Sequence, residues 1–80
     1  MENITVSEFL EKLDEANEIQ SKYYGILFHT ITEDTIYLEG DYNFKCRIEN
    51  LIIEKKNDCW CLKDSSNNNN WIHFYLVKYI

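Results

Sequence analysis

The hydrophobic period of this chain changes once, near residue 22, from the spacing of a helix to that of strands. Before that point, apolar residues recur at steps of three and four, as on one face of an α-helix: Val6, Phe9, Leu10, Leu13 and Ala16. Thr5 stands three residues before Glu8, which is the spacing of a capping box at a helix N-terminus. The pattern predicts a helix that begins after Thr5 and runs to about residue 21.

Beyond residue 22, aromatic and β-branched residues alternate with polar ones, which is typical of strands. The predicted strands cover about 23–31, 35–39, 43–54, 58–63 and 71–79. Short polar connections join antiparallel neighbours, so we expect a meander. The fold class is therefore α+β: one N-terminal helix packed on a four- or five-stranded antiparallel sheet, within a single domain of residues 1–80.

Two finer features of this sheet can be predicted. A two-residue turn at Lys56 and Asn57 would pair apolar residues of the flanking strands and place them on the side away from the helix: Ile53 with Trp60, and Leu51 with Leu62. Residues 65–70 contain only Ser and Asn, which favour turns, so this segment is expected to be a surface loop between the last two strands.

The formal net charge of −6 is unevenly distributed. Residues 1–41 carry two bases and ten acids, a balance of 2 − 10 = −8, whereas residues 42–80 carry six bases and four acids, or +2. A protein that binds phosphates directly needs positive charge, so direct binding of nucleic acid is not expected. The N-terminal half instead favours a basic protein partner.

The acids of this half suggest where such a partner would bind. One group lies along the predicted helix, and a second follows it in the first strands: Glu8, Glu11, Asp14, Glu15 and Glu18, then Glu33, Asp34, Glu39 and Asp41. Like charges four residues apart destabilise a helix slightly, so this helix is not optimised for its own stability. The alternative interpretation of the same acids is an ordinary solvated helix face.

Aromatic residues provide a second candidate surface. Eight tyrosines and tryptophans exceed what one helix can cover on a small sheet: Tyr23, Tyr24, Tyr37, Tyr42, Trp60, Trp71, Tyr75 and Tyr79. Tyr and Trp dominate the energetics of protein interfaces, so we expect Trp60, Tyr75 and Tyr79 to contact a partner. The alternative is that they are half-buried residues of the sheet.

The sequence offers little for metal or cofactor binding. Cys59, Cys61 and His73, with Cys46 or His29 as the fourth ligand, are the strongest zinc candidates. The favoured interpretation treats them as core or half-buried side chains, because the chain has no paired Cys-x-x-Cys motifs. Three cysteines, an odd number, agree with free thiols in a reducing compartment. No cofactor and no metal are predicted.

Catalysis is not expected either. No serine stands in a Gly-x-Ser-x-Gly motif, and neither histidine belongs to a recognisable catalytic signature. Gly25 and Gly40 are the only glycines, too few for a phosphate-binding loop. With no apolar run of about 18 residues and no secretory signal, the expected location is the cytoplasm.

These properties lead to two functional hypotheses. The first is a small acidic protein that inhibits a nucleic-acid-handling protein by occupying its basic surface, as a nucleic-acid mimic or a steric blocker. In size, acidity and lack of catalytic residues the chain is similar to anti-defence proteins of phages and mobile elements, including anti-CRISPR inhibitors, and to nuclease-toxin immunity proteins. No motif carries this similarity. The alternative is a homodimeric or hetero-oligomeric assembly module that uses an aromatic sheet face.

Overall fold

In the residues that the structure describes, the chain folds as one α-helix and a curved antiparallel sheet of eight strands. The computed structural model describes residues 2–21, 23, 25–57 and 59–79. Tyr24 and Asp58, which the sequence placed in predicted strands, lie outside the described residues. The elements are β1 (Glu2–Asn3), α1 (Val6–Glu15), β2 (Glu18–Ser21), β3 (Gly25–Ile31), β4 (Thr35–Glu39), β5 (Phe44–Arg47), β6 (Leu51–Lys56), β7 (Cys59–Asp64) and β8 (Asn67–Val77). The α+β class is confirmed, with more strands than the four or five predicted.

Helix α1 begins where the sequence predicts and ends earlier. The Thr5 hydroxyl accepts a hydrogen bond from the Glu8 backbone N–H at 3.2 Å, as in a capping box. At the other end Ala16 adopts extended backbone angles, and the Asn17 N–H donates to the Val77 carbonyl at 2.8 Å. The prediction of a helix to about residue 21 is therefore wrong, because this stretch pairs with the last strand. With ten residues, α1 is too short to cross a bilayer, and no helix in the described ranges is long and apolar enough to do so.

Strand β2 was not predicted, and it joins the two halves of the sheet. On one side Glu18 pairs with Val77 and Ser21 with Phe74 in β8; on the other side Ile19 pairs with Leu27 in β3. Its side chains alternate between half-buried and buried, as expected for a strand with one face on the core.

The strand order is β1-β6-β7-β8-β2-β3-β4-β5. It contains two antiparallel meanders, β2 to β5 and β6 to β8, joined by the pairing of β2 with β8. The single meander predicted from the sequence is wrong, since β5 and β6 follow one another in the chain but are not neighbours in the sheet. The Asn70 side-chain amide donates to the Lys45 carbonyl at 2.7 Å, which brings the β5 edge close to the start of β8 and curls the sheet.

The predicted strand 43–54 is broken into two. A 3₁₀ turn at Ile48–Asn50 separates β5 from β6, and the Ile48 N–H donates to the Asp34 carbonyl at 2.8 Å. This break changes the alternation of side chains. Cys46 of β5 therefore faces the core, whereas Ile52 of β6, which would lie on the same face of an unbroken strand, is exposed.

The β6–β7 hairpin differs from the predicted register by two residues. Lys56 pairs with Cys59, so the turn begins after Lys56, and Asn57 takes the left-handed φ of 56° that asparagine tolerates. Ile53 consequently pairs with Leu62 rather than with Trp60. The face of the sheet on which these residues lie also differs from the prediction. Ile53, Trp60 and Leu62 all face the core instead of the side away from the helix.

Residues 65–70 are not a loop throughout. Only Ser65 and Ser66 form the turn, in which the Asp64 carboxylate accepts hydrogen bonds from the Ser66 N–H at 2.9 Å and hydroxyl at 2.6 Å. Asn67–Asn70 belong to β8. In the β7–β8 ladder Lys63 pairs with Trp71, but the next residue, Asp64, pairs with Asn67. Residues 68–70 of β8 are therefore left over and form a bulge.

Helix α1 covers the inner face of the sheet through its apolar side. The Phe9 ring lies 5.5 Å from that of Trp60 and 6.0 Å from that of Phe74, and all three side chains are buried. Around this aromatic cluster the core is aliphatic, apart from Phe44 and the Cys46 thiol: Leu13, Ile19, Leu27, Ile36, Leu38, Ile53, Leu62 and Ile72.

The aromatic cluster is expected to dominate stability. Phe9→Ala should lower the free energy of unfolding by about 3–5 kcal/mol, because it leaves a cavity between helix and sheet. The matched control is Phe28→Ala, which removes the same side chain from an exposed position of β3 and should change stability by less than about 0.5 kcal/mol. Urea unfolding followed by circular dichroism measures both. Similar losses from the two variants would contradict the assignment of Phe9 to the core.

Candidate interaction surfaces

The outward side of α1 carries a cluster of carboxylates. Phe9 and Leu13 point into the core, so residues at helical steps on the opposite side face solvent. We call this surface the acidic face; its members, all exposed, are Glu8, Glu11, Asp14 and Glu15. Within the described part of the chain, the only salt bridge of these four is that of Glu15 with Lys12, at 3.8 Å between two exposed side chains. Such a pair contributes little stability, so the acidic face keeps most of its negative charge.

Glu18 does not extend this surface. It lies on β2, where its carboxylate accepts a hydrogen bond from the Gln20 amide at 2.9 Å. Hydrogen bonds from Tyr79 first, and from Gln20 second, lower the pKa of Glu18 below its usual value. The side chain is therefore a fixed carboxylate on the sheet, and its predicted place among the helical acids is wrong.

The other predicted acids do not form one surface. Glu33 and Asp34 lie in the turn before β4, and Glu39 and Asp41 lie at or beyond its far end. At about 3.4 Å per residue, five residues of strand separate these pairs by roughly 17 Å. The Asp34 carboxylate also has a structural role, since it accepts hydrogen bonds from the Thr35 and Thr32 hydroxyls at 3.0 and 3.3 Å.

Two of the three predicted aromatic contacts are accessible. Trp60 is only 4% exposed and packs against Phe9, so its predicted role in partner binding is wrong. The error follows from the 3₁₀ turn at Ile48–Asn50, which reverses the alternation of side chains in β6 and, through the β6–β7 pairing, puts Trp60 on the inner face. Tyr75 is half-buried on the outer face, and Tyr79 is exposed, with its N–H donating to the Asn17 side chain at 2.6 Å.

Sequence reasoning missed two exposed apolar residues of β3. Ile26 is 47% exposed and Phe28 is 72% exposed, both pointing outward on either side of buried Leu27. The segment Ile26-Leu27-Phe28 is apolar at consecutive positions, and a strand with one buried face alternates instead. That departure from alternation, visible in the sequence, could have identified them.

The side chains that were the strongest zinc candidates in the sequence are only partly brought together. Cys61 lies directly opposite His73, and both line a groove of about 470 Å³ with Cys59 and Tyr75. Cys46 is instead buried in the core. Among the residues with described positions, no three His, Cys, Asp or Glu side chains are grouped to hold a metal ion.

Burial also makes two of the thiols poor nucleophiles. It raises the pKa of Cys46 to about 11, with a smaller contribution from the charge of Asp64, and it is the main cause of a raised pKa at Cys61. Since the thiolate is the reactive form, neither has the properties of an activated catalytic cysteine.

Comparison with protein-family models, with curated proteins and with solved structures finds no match, so no function can be transferred from a relative.

We expect Cys59, which is half-buried, to react first with thiol reagents in the native protein. With a pKa of about 11, roughly one thousandth of Cys46 is thiolate at about pH 8, and reaction should accelerate as the pH rises toward 11. Labelling with iodoacetamide followed by peptide mass spectrometry measures the three rates. The Cys59→Ser variant should lose the fast phase; its persistence would show that one of the buried thiols is accessible.

Tyr79→Phe should raise the pKa of Glu18 toward its ordinary value of 4.5, because the main hydrogen bond that lowers it is removed. A lowered pKa in the folded state stabilises the protein above the unfolded pKa, and this contribution is lost as the pH falls. The stability difference between wild type and variant should therefore be larger at neutral than at acidic pH. A carboxyl titration by NMR tests this, and an unchanged Glu18 pKa would refute the contact.

Proposed function

We propose that this protein is a non-enzymatic inhibitor that acts in the cytoplasm and occupies the basic surface of a nucleic-acid-handling protein through the acidic face of α1. One observation carries the proposal: Glu8, Glu11 and Asp14 project from one exposed helix and, within the described residues, have no salt bridge.

The geometry of α1 suits such a partner. A rise of about 1.5 Å per residue places the acids of successive turns about 5 Å apart along the axis. Phosphates of one DNA strand follow one another at about 3.4 Å along its axis, so both present negative charges at intervals of a few ångströms. The core holds the opposite side of the helix through Phe9 and Leu13. The negative charges are therefore presented from a fixed scaffold, which reduces the entropy lost on binding.

Opposite charge on the partner would accelerate association and make it sensitive to salt. A basic groove that normally holds nucleic acid would then be blocked by charge and by volume. In this proposal the protein resembles an anti-defence or anti-CRISPR inhibitor in its mode of action, with nucleic acid as a competitor rather than a ligand.

The test begins with capture of the partner from the native host on immobilised wild-type protein, followed by its purification. Binding should weaken as salt rises, and nucleic acid should displace the protein. The triple variant Glu11→Lys, Asp14→Lys, Glu15→Lys should bind about 100-fold more weakly, or about 2.8 kcal/mol at 1.4 kcal/mol per tenfold. It retains Glu8 at the positive end of the helix dipole and should remain folded.

The matched control is Glu33→Lys, Asp41→Lys, Glu49→Lys, three exposed acids outside α1. Both variants change the formal net charge by the same amount, −6 + 6 = 0. If binding depends on the acidic face, the control keeps an affinity within a few fold of wild type. Equal losses from both would mean that overall charge alone attracts the partner, and full binding by the α1 variant would overturn the proposal.

A further inference from the structure

The outer face of the sheet carries an ordered arrangement of apolar and acidic side chains around β3. Register defines it, because residues directly opposite in antiparallel strands share a face. Gln20 lies between Ile26 and Tyr75, and Phe28 lies opposite Glu39. Glu18 pairs with Val77 of β8. Ile19 pairs with Leu27 of β3, so one step further along the same register Glu18 falls opposite Phe28, on the same face. We call this surface the outer patch: Glu18, Gln20, Ile26, Phe28, Glu39, Tyr75 and Val77.

Phe28 is the centre of the outer patch. It is 72% exposed, with Glu39 on one neighbouring strand and Glu18 on the other. Strands lie about 4.8 Å apart, so Glu18 and Glu39 occupy the two strand positions that flank Phe28 on this face. Glu18 is fixed further by its hydrogen bonds to Gln20 and Tyr79. A large exposed aromatic ring between two anionic groups has no use in the protein's own packing.

This combination favours a cation that is also flat and weakly hydrated. Arginine meets the requirement, because its guanidinium stacks on aromatic faces and donates paired hydrogen bonds to carboxylates. Lysine offers a point charge without the stacking plane. We propose that the outer patch binds an arginine-bearing segment of another protein, with the guanidinium on Phe28 between Glu18 and Glu39 and an adjacent apolar side chain against Ile26.

A second copy of the chain fits the outer patch less well. In a two-fold dimer the same patch faces itself, so the carboxylates beside Phe28 would approach their own symmetry mates. Among the lysines whose positions the structure describes, those nearest by register, Lys45 and Lys56, lie at the borders of the patch rather than beside Phe28. The net charge of −6 adds to the repulsion. Charge complementarity therefore selects a cationic partner over self-association.

The outer patch goes beyond the function proposed for α1 and does not depend on it. Phe28 points away from the interior that α1 packs against, since it neighbours buried Leu27 along the strand. The two surfaces share no residue. Either proposal can therefore be refuted without the other, because variants of Phe28 and variants of the acidic face test them separately.

The experiment titrates wild-type protein with a synthetic peptide of alternating Arg and Leu, and follows backbone and side-chain signals by NMR. Control peptides replace Arg with Lys, Arg with Glu, or Leu with Ser. We expect shift changes centred on Ile26, Phe28 and Glu39, with the Arg-Leu peptide binding most tightly and the Glu peptide not at all. Phe28→Ala should weaken binding at least about tenfold, and Glu39→Gln about threefold to tenfold.

Two matched controls decide the location. Trp71→Ala removes another exposed aromatic side chain from the outer face, and the α1 triple variant reverses three of the four charges of the acidic face; both should bind the Arg-Leu peptide within about twofold of wild type. Loss of binding in the α1 variant with none in Phe28→Ala would overturn the inference while leaving the α1 proposal intact. Absence of binding at millimolar peptide would also overturn it. So would a wild-type dimer, seen by light scattering, that Phe28→Ala dissociates.

Discussion

The pairing of β2 with β8 is the constraint on which the rest of the fold depends. Only four residues, Glu18–Ser21, form β2, yet they connect the meander β2–β5 to the meander β6–β8. The contact links residues nearly sixty positions apart, so its formation closes a long loop whose entropy must be offset by the core behind it. Ile19 contributes to that core, and the Asn17 N–H extends the pairing by bonding to Val77. Without this junction neither meander would have a partner for its free edge, and exposed edges favour aggregation.

This constraint separates what the sequence could predict from what it could not. The start of α1 was predictable, because the hydrogen bond from the Glu8 N–H to Thr5 is local. Its end was not, because the stop at Glu15 depends on a strand at the far end of the chain. The alternation of Glu18, Ile19, Gln20 and Ser21 agrees with a strand, but the same letters continue a helical pattern for one more turn. Only the tertiary pairing decides between them.

The errors in the sheet have the same origin. A single 3₁₀ turn at Ile48–Asn50 reverses the alternation of side chains, which transfers Ile53 and, across the β6–β7 hairpin, Trp60 from a predicted outer surface to the core. The hairpin register is displaced by two residues, which changes the pairs but not the faces. At the turn and in the hairpin, the structure depends on which face buries large apolar groups. A single sequence position cannot reveal that face. The asparagines of 67–70 join β8 for a related reason, since Asn70 satisfies the Lys45 carbonyl and the Asp64 carboxylate at once. The same limits apply to the candidate surfaces. The sequence identified the acids on α1, but it placed Glu18 on the helix instead of on β2, and it gave no role to Phe28.

The inward and outward sides of α1 have different roles, and this difference bears on function. Its stability comes from Phe9 and Leu13, because a ten-residue helix is marginal in water without tertiary packing. Folding therefore places few demands on the outward side. Glu11 and Glu15 repel each other at a spacing of four residues, which destabilises the helix by a few tenths of a kcal/mol. A lysine at either position would remove this repulsion and suit the nearby helix C-terminus better. The proposed binding of a basic partner would account for this cost, because it needs the negative charge of Glu11 and Glu15 that the helix itself does not.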